Sequence, residues 1–279
     1  MADNKGDGLA PVRAYWNTIA SKAPDGCRDH WVDAEGRPLS ECLYEEVAEY
    51  VAAQLPQGIG PSPTILEVGC GTGRILSALH AKMPEATLWG IDVAEEQIRE
   101  AKTRVKSAVL ASQDLHQFIG DLGRQMRAGY DLIFAHSVTQ YFPSSDYFAA
   151  FLDEATELLR PGGSLCLVDV PVTWYYEQMR GRPPVTALTP LKNFVKRLIG
   201  YKPRPRPEAS TVIEVLNGEN VAVPVFRGFW ADPEMIEAFA GTRFSEYRME
   251  YQLFPSKPVA YRKYRPIFIL LNKTKELTE

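Results

Sequence analysis

Long apolar runs are missing from this 279-residue chain: nothing in it approaches the ~18–20 consecutive apolar residues that a membrane span requires. The first twelve residues, MADNKGDGLAPV, hold no basic segment leading into an apolar one, so no secretory signal is expected and the cytoplasm is the expected compartment. Cysteine is scarce. Cys27, Cys42, Cys70 and Cys166 are widely scattered and form no CxxC pair, which argues against a zinc site or a disulfide framework, so no metal is expected. Excess charge is missing too: a formal net charge of −4 gives no global pull toward nucleic acid or an anionic membrane. What remains is 45% hydrophobic and 24% charged residues, a balance that suits a globular protein able to bury a core.

The pattern along the chain divides it into five parts. Residues 1–12 read as a disordered tail, and 13–60 as a helical cap built from RAYWNTIA and YEEVAEYVAAQL. In the second segment Leu43, Val47, Tyr50, Val51 and Leu55 recur at helical spacing, and Pro56 with Gly58 ends the run. Between 61 and 170, short apolar runs alternate with helical ones: TILEVG, TLWGID, SAVLAS, YDLIFAH and SLCLVDV are expected strands. The fourth helix, YFAAFLDEATELLRPGG, is expected to end at glycine. Strands separated by helices of this length imply right-handed βαβ crossovers, hence an α/β fold with a mostly parallel sheet and helices on both faces. Residues 171–230, rich in Pro, Arg and Lys, break the rhythm and read as an insertion, helical around LKNFVKRLI. From 231 to 279 a helix, DPEMIEAFAG, and two strands, RFSEYRMEYQLF and YRPIFILLNK, would add an antiparallel edge to the sheet.

ILEVGCGTGR is the most informative stretch. A strand runs into Gly69, Gly71 and Gly73, where backbone without Cβ can turn sharply and let a ligand come close to the main chain. A dinucleotide loop would place a third glycine three residues after the second, but Arg74 stands there. Glu67, two residues before the first glycine, suits a cationic ligand better than a pyrophosphate. Asp92 closes the second strand, where a carboxylate can accept both hydroxyls of a ribose, and Asp114 follows the third, placed to accept from an exocyclic amine. Each aspartate could instead be a helix cap. Together the three acids converge on the crevice where open α/β sheets bind ligands.

In order and spacing, ILEVGCGTGR, the acid of GID, QDL, YDLIFAHSV and ELLRPGGSLCLVDV resemble the successive motifs of class I S-adenosylmethionine-dependent methyltransferases. The resemblance covers Thr64 to Val170 closely and the chain from Asp232 onward more loosely. It implies a Rossmann-like seven-stranded sheet with its last strand inserted antiparallel, and S-adenosylmethionine as cofactor. By that resemblance Glu67 and Gly69, Cys70, Gly71 and Gly73 line the methionine moiety, Asp92 with Val93 holds the ribose, and Asp114 with Leu115 meets the adenine. YWNTIA is similar to the segment that folds over the cofactor in many small-molecule members, which brings in Tyr15, with core packing as its alternative.

Methyl transfer from a sulfonium is an in-line displacement that requires alignment and, where the acceptor carries a proton, its removal. The ends of the fourth and fifth strands border the reaction centre in this fold. They carry His136, Ser137, Gln140, Tyr141 and Asp169. His136 is the candidate base and a candidate cofactor contact, since an unperturbed imidazole titrates near neutrality. Its alternative is a packed wall residue. Tyr141 either lines the acceptor pocket or seals a helix, and Asp169 either serves the acceptor or caps a loop. The insertion holds eight Arg and Lys residues between Gln178 and Pro207 and no acid there, which suits an anionic acceptor or a solvated loop. HSVTQYF, LVDVP and YRPIFILLNK also resemble methyltransferases of sugar and natural-product pathways, implying a small-molecule oxygen acceptor. Transfer to nitrogen, to RNA or to protein, and a non-catalytic cofactor-binding subunit, stay open. The expected assembly is a monomer or homodimer.

Overall fold

The computed structural model describes residues 7–22, 41–122, 129–173, 211–216, 219–224, 229–251, 254 and 266–274. Its centre is a seven-stranded sheet. The first five strands are β1 (Thr64–Val68), β2 (Thr87–Asp92), β3 (Val109–Ser112), β4 (Tyr130–His136) and β5 (Leu159–Val168). Helices α3 (Arg74–Lys82), α4 (Glu95–Arg104), α5 (Leu115–Leu122) and α6 (Ser145–Leu158) connect them in turn. All pair in parallel, because each connection is long enough to cross back over the sheet. The order β3-β2-β1-β4-β5 reverses direction between β1 and β4. A crevice opens at such a switch point, at the carboxyl ends of the strands.

Strand β4 shows why these residues form a central strand. All seven of its side chains are buried. Ile133 and Ala135 enter one core layer, with α5 and α6, while Leu132 and Phe134 enter the other, with α3 and α4. A period of two with both faces covered requires a continuous apolar run, and DLIFA supplies it. Asp131 is the polar exception at the start of the run. Its carboxylate accepts from the Thr64 amide at 2.7 Å and pairs with Arg160, tying β1, β4 and β5 together.

The antiparallel part differs from the edge pair expected from the residues and follows the arrangement implied by the resemblance. Strand β8 (Phe244–Glu250), which follows helix α7 (Pro233–Arg243), is the outermost strand. Strand β9 (Ile267–Lys273) inserts between β5 and β8, antiparallel to both. The reason is burial: Ile267, Phe268, Ile269 and Leu270 are all fully buried, whereas in β8 only Phe244 is buried and the rest, Met249 among them, is exposed or half-buried. An apolar run on both faces belongs inside the sheet, and an amphipathic one at its edge.

Of the residues 1–12 expected as a disordered tail, 1–6 lie outside the described residues and the rest are ordered into helical structure. Residues Asp7–Leu9 form a 3-10 turn and α1 (Ala10–Lys22) follows at once, because Leu9 and Val12 are buried. Helix α2 (Glu41–Ala52) completes the cap and packs on α3. The fourth core helix ends at Leu158 rather than at a glycine, and the chain runs directly into β5, within which Gly162 takes φ 84°. Within the insertion, β6 (Thr211–Leu216) and β7 (Glu219–Pro224) form an antiparallel hairpin not foreseen from sequence, and β7 lies beside α1. The expected helix around LKNFVKRLI and the basic residues from Arg180 to Arg206 lie outside the described residues.

Gly90, in the middle of β2, makes the packing of the glycine-loop side specific. A Cβ there would meet Leu76 Cδ1 at 2.6 Å, Leu110 Cδ2 at 2.8 Å and Cys70 Sγ at 2.9 Å. Gly90→Ala is therefore expected to lower unfolding free energy by about 1–3 kcal/mol in urea denaturation. A neutral effect would mean that all three neighbours yield together.

Candidate functional site

The carboxyl end of β2 organises the site. The Ile91 carbonyl accepts from both Gly69 and Cys70 amides, at 2.7 and 2.9 Å, so the turn after β1 is held against β2. Asp92 continues the tie: Oδ2 accepts from the Gly71 amide at 3.0 Å and Oδ1 from the Ala94 amide at 2.9 Å. The loop can follow this path only because Gly69, Gly71 and Gly73 take φ of 73°, 52° and 76°. A Cβ on Gly69 would lie 2.2 Å from Val138 Cγ2, so the residue is excluded from growth by the β4 exit as well as by its backbone. Arg104, from α4, donates to the Thr72 carbonyl and closes the turn from outside.

Around this turn opens a cavity of about 950 Å³, its mouth included. Glu67, Asp92 and Asp114, from the ends of three neighbouring strands, all line it. Glu67 is 2% exposed. Asp114 also caps α5: Oδ1 accepts from the Gln117 amide at 2.8 Å, and Gln117 Oε1 accepts from the Asp114 amide in return. The helix-cap alternative therefore holds for Asp114 alongside its cavity placement, whereas α4 is capped at Ala94 without a side-chain bond and Asp92 instead braces the Gly71 and Ala94 amides. Gly69, Cys70, Gly71, Val93 and Leu115 line the same cavity. Gly73 does not; it is the left-handed residue that starts α3, packed near Ala101 of α4.

The far wall is the exit of β4. His136, 3% exposed, Ser137 and Tyr141 line it. Asp169 is 2% exposed and stands behind that wall: its Oδ2 accepts from Ser137 Oγ. Ser137 and Asp169 both adopt left-handed backbone, φ 54° and 66°. Such a conformation costs of order 1–3 kcal/mol for a residue with a side chain, so the paired strand ends hold stored strain. Gln140 Nε2 donates to the Ser137 carbonyl at 2.6 Å, and the Gln140 carbonyl accepts from the Phe229 amide where the chain returns from the insertion.

Helix α1 forms the roof. Leu9, Val12 and Trp16 face the cavity, and Trp16 meets Tyr141 edge to face at 5.6 Å. Tyr15 is outside the lining and meets the Trp16 ring edge to face at 5.2 Å. The aromatic side chain of α1 that lines the cavity is therefore the adjacent Trp16, and its spacing from Val12 along one helical face could have identified it. Arg13 Nε donates to the Val93 carbonyl and Asn17 Oδ1 accepts from the Glu96 amide, each at 3.2 Å, which fastens the roof to the turn beyond Asp92. Sequence reading also passed over Arg74, whose guanidinium lies over the Tyr44 ring, and Tyr147 with Phe151, which sit one turn apart on α6. Burial first, and then the charges of Asp114 and Glu154, push the Tyr147 phenol well above its usual range, so it stays neutral.

Carboxylates that can accept hydroxyl and amine protons, a close-approach glycine turn and an aromatic roof fit a cationic nucleoside ligand. Among the described residues no cluster suits a metal ion, and no helix is long and apolar enough to cross a membrane.

Residues 66–165 match the family model described as a methyltransferase domain. Trans-aconitate 2-methyltransferase of Escherichia coli is 32% identical over 148 residues, covering 52% of this chain and 49% of that protein. Chondramide synthase of Chondromyces crocatus is 32% identical over 128 residues, covering 45% of this chain but only 3% of that far longer protein. The chain thus spans about half the length of the trans-aconitate methyltransferase it matches. The magnesium protoporphyrin IX methyltransferase of Synechocystis has the same fold, with a TM-score of 0.55 at 17% identity over 96% of this chain and all of that one. A phosphoethanolamine N-methyltransferase of Haemonchus contortus aligns at 0.57 and 13% identity, over 99% of this chain and 51% of that one.

Two substitutions separate loop from roof. Gly69→Ala is expected to abolish binding of S-adenosylhomocysteine in calorimetry, since the turn must move to relieve Val138. Trp16→Ala should weaken it by roughly tenfold through lost apolar cover.

Proposed function

We propose that this chain transfers a methyl group from S-adenosylmethionine to an oxygen of a small metabolite, in a sugar or natural-product pathway. The observation that carries the reading is a single cavity in which the glycine turn and three strand-end acids meet His136, Ser137 and Tyr141 beneath an aromatic roof. Relatives named for trans-aconitate methylation and for peptide-product synthesis support a small-molecule acceptor, and the first of these names an anionic one.

Asp92 would accept the ribose hydroxyls with oxygens already oriented by the Gly71 and Ala94 amides. Asp114 and Leu115 would meet the adenine, and Glu67 with the Gly69–Gly71 turn the methionine end. When bound, the cofactor supplies an electrophilic methyl on a positively charged sulfur. The chain's own part is to align and to exclude water. Leu9, Val12 and Trp16 cover the cavity from above, and exclusion of water strengthens each electrostatic contact within it. His136 and Tyr141 face the acceptor side, and Asp169 reaches that side through Ser137. The basic run between Arg180 and Arg206 is a further candidate contact for an anionic acceptor.

Calorimetric titration of S-adenosylmethionine tests the cofactor assignment. The wild type should bind, and Asp92→Ala should lose at least about 30-fold in affinity, as two hydroxyl contacts disappear. No binding to the wild type would sink the proposal. His136→Ala should lower turnover several-fold while cofactor affinity stays within about threefold, as befits a residue of the acceptor wall. Unchanged turnover would remove His136 from that wall's function.

A further inference from the structure

The pairing of Ser137 with Asp169 narrows which kind of oxygen this cavity serves. On the proposed reading the three acids would hold a nucleoside across β3, β2 and β1 in that order, and the next strand in the sheet is β4. The exit of β4 therefore faces the reactive end of such a ligand. Ser137 lies at that exit and lines the cavity, while Asp169, on the neighbouring exit of β5, is buried and outside it. The Ser137 hydroxyl donates to the Asp169 carboxylate. Its one proton is thereby committed, and only lone pairs remain for a ligand. A carboxylate acceptor, which needs a donor, gains nothing from such an oxygen. A hydroxyl acceptor, which must lose a proton, does.

The backbone points the same way. Two adjacent strand ends both hold a non-glycine residue at positive φ, and the two side chains so placed meet each other. The Ser137 amide donates to the Val168 carbonyl at 3.0 Å, and Gln140 holds the Ser137 carbonyl, so the pair is fixed from the ladder below and the turn above. Strain of this kind persists where surrounding contacts over-determine it, and it clusters at functional sites.

Resting on the methyltransferase reading, we propose that Ser137, positioned by Asp169, takes the proton of an alcohol or phenol acceptor. The acceptor oxygen bonds to the methyl carbon as the carbon–sulfur bond breaks, and that bond's electron pair stays on sulfur. The acceptor's proton passes to Ser137 Oγ while the Ser137 proton passes to Asp169 Oδ2. The positive charge on sulfur and the negative charge on Asp169 disappear together, so the step balances. The molecule carrying the hydroxyl can still be anionic elsewhere.

The test uses the full chain with methyl-labelled S-adenosylmethionine and two acceptor series. One series carries hydroxyls (catechol, 4-hydroxybenzyl alcohol, rhamnose); the other carries carboxylates without a hydroxyl (trans-aconitate, benzoate, cinnamate). Transfer to hydroxyls, and not to the carboxylate series, is expected. Ser137→Gly keeps the left-handed backbone free of strain while deleting the hydroxyl, so a structural role predicts unchanged or better function. The relay predicts a kcat loss of about 100-fold, with KM for the cofactor within about twofold and no loss of thermal stability. Asp169→Asn, which preserves shape and tolerates the same φ, should lose kcat similarly, and the double variant should be no worse than the poorer single one. His136→Ala should lose less than either. Transfer to the carboxylate series alone, full kcat in Ser137→Gly, or a larger loss in His136→Ala overturns the relay. So does a wild type that binds the cofactor in calorimetry yet methylates no hydroxyl. A wild type that does not bind the cofactor instead overturns the reading on which the relay rests.

Discussion

The rest of the site depends on how the end of β2 holds the turn after β1. One carbonyl, that of Ile91, accepts two successive amides, and one carboxylate, that of Asp92, accepts a third from the loop and a fourth from the approach to α4. A turn that leaves a buried strand and enters a helix has amides to satisfy, and buried amides without partners are costly. Satisfying them from the neighbouring strand fixes the distance between the two strand ends. It also aims the Asp92 carboxylate before any ligand arrives, so little reorganisation is left for binding.

The roof is built onto the same turn. Arg13 and Asn17 sit one helical turn apart on α1 and reach the Val93 carbonyl and the Glu96 amide, directly beyond Asp92. The adjoining face of the same helix carries Val12 and Trp16 into the cavity. Floor and roof therefore share an anchor, and a shift of the β2 exit moves both. The opposite wall has its own anchor in the paired strained ends of β4 and β5, joined to the returning chain through Gln140 and Phe229.

Much of this was legible in the sequence, and for identifiable reasons. The inner parallel strands β1, β4 and β5 announce themselves because a strand buried on both faces must be an unbroken apolar run of about the right length. The three acids were legible because they stand at strand ends, where topology alone brings them together. Trp16 was missed in favour of Tyr15, since choosing between adjacent aromatics requires knowing which helical face turns inward. That Asp169 stands behind the wall and not on it was also beyond sequence reasoning. It depends on two positive φ values, which neither serine nor aspartate advertises. The hairpin of β6 and β7 lay hidden in a segment whose composition suggested only an irregular insertion.

The position of β9 has a consequence for how the chain assembles. Strand β8 touches β5 only by way of β9, yet β9 is the later of the two to be synthesised. On the ribosome, the apolar edge of β5 must wait uncovered while α7 and β8 emerge, with nothing yet to pair beside it. Productive folding then requires the late strand to enter a gap between two earlier ones rather than extend a finished edge. The interval before it arrives is when the nascent sheet is most open to a foreign strand.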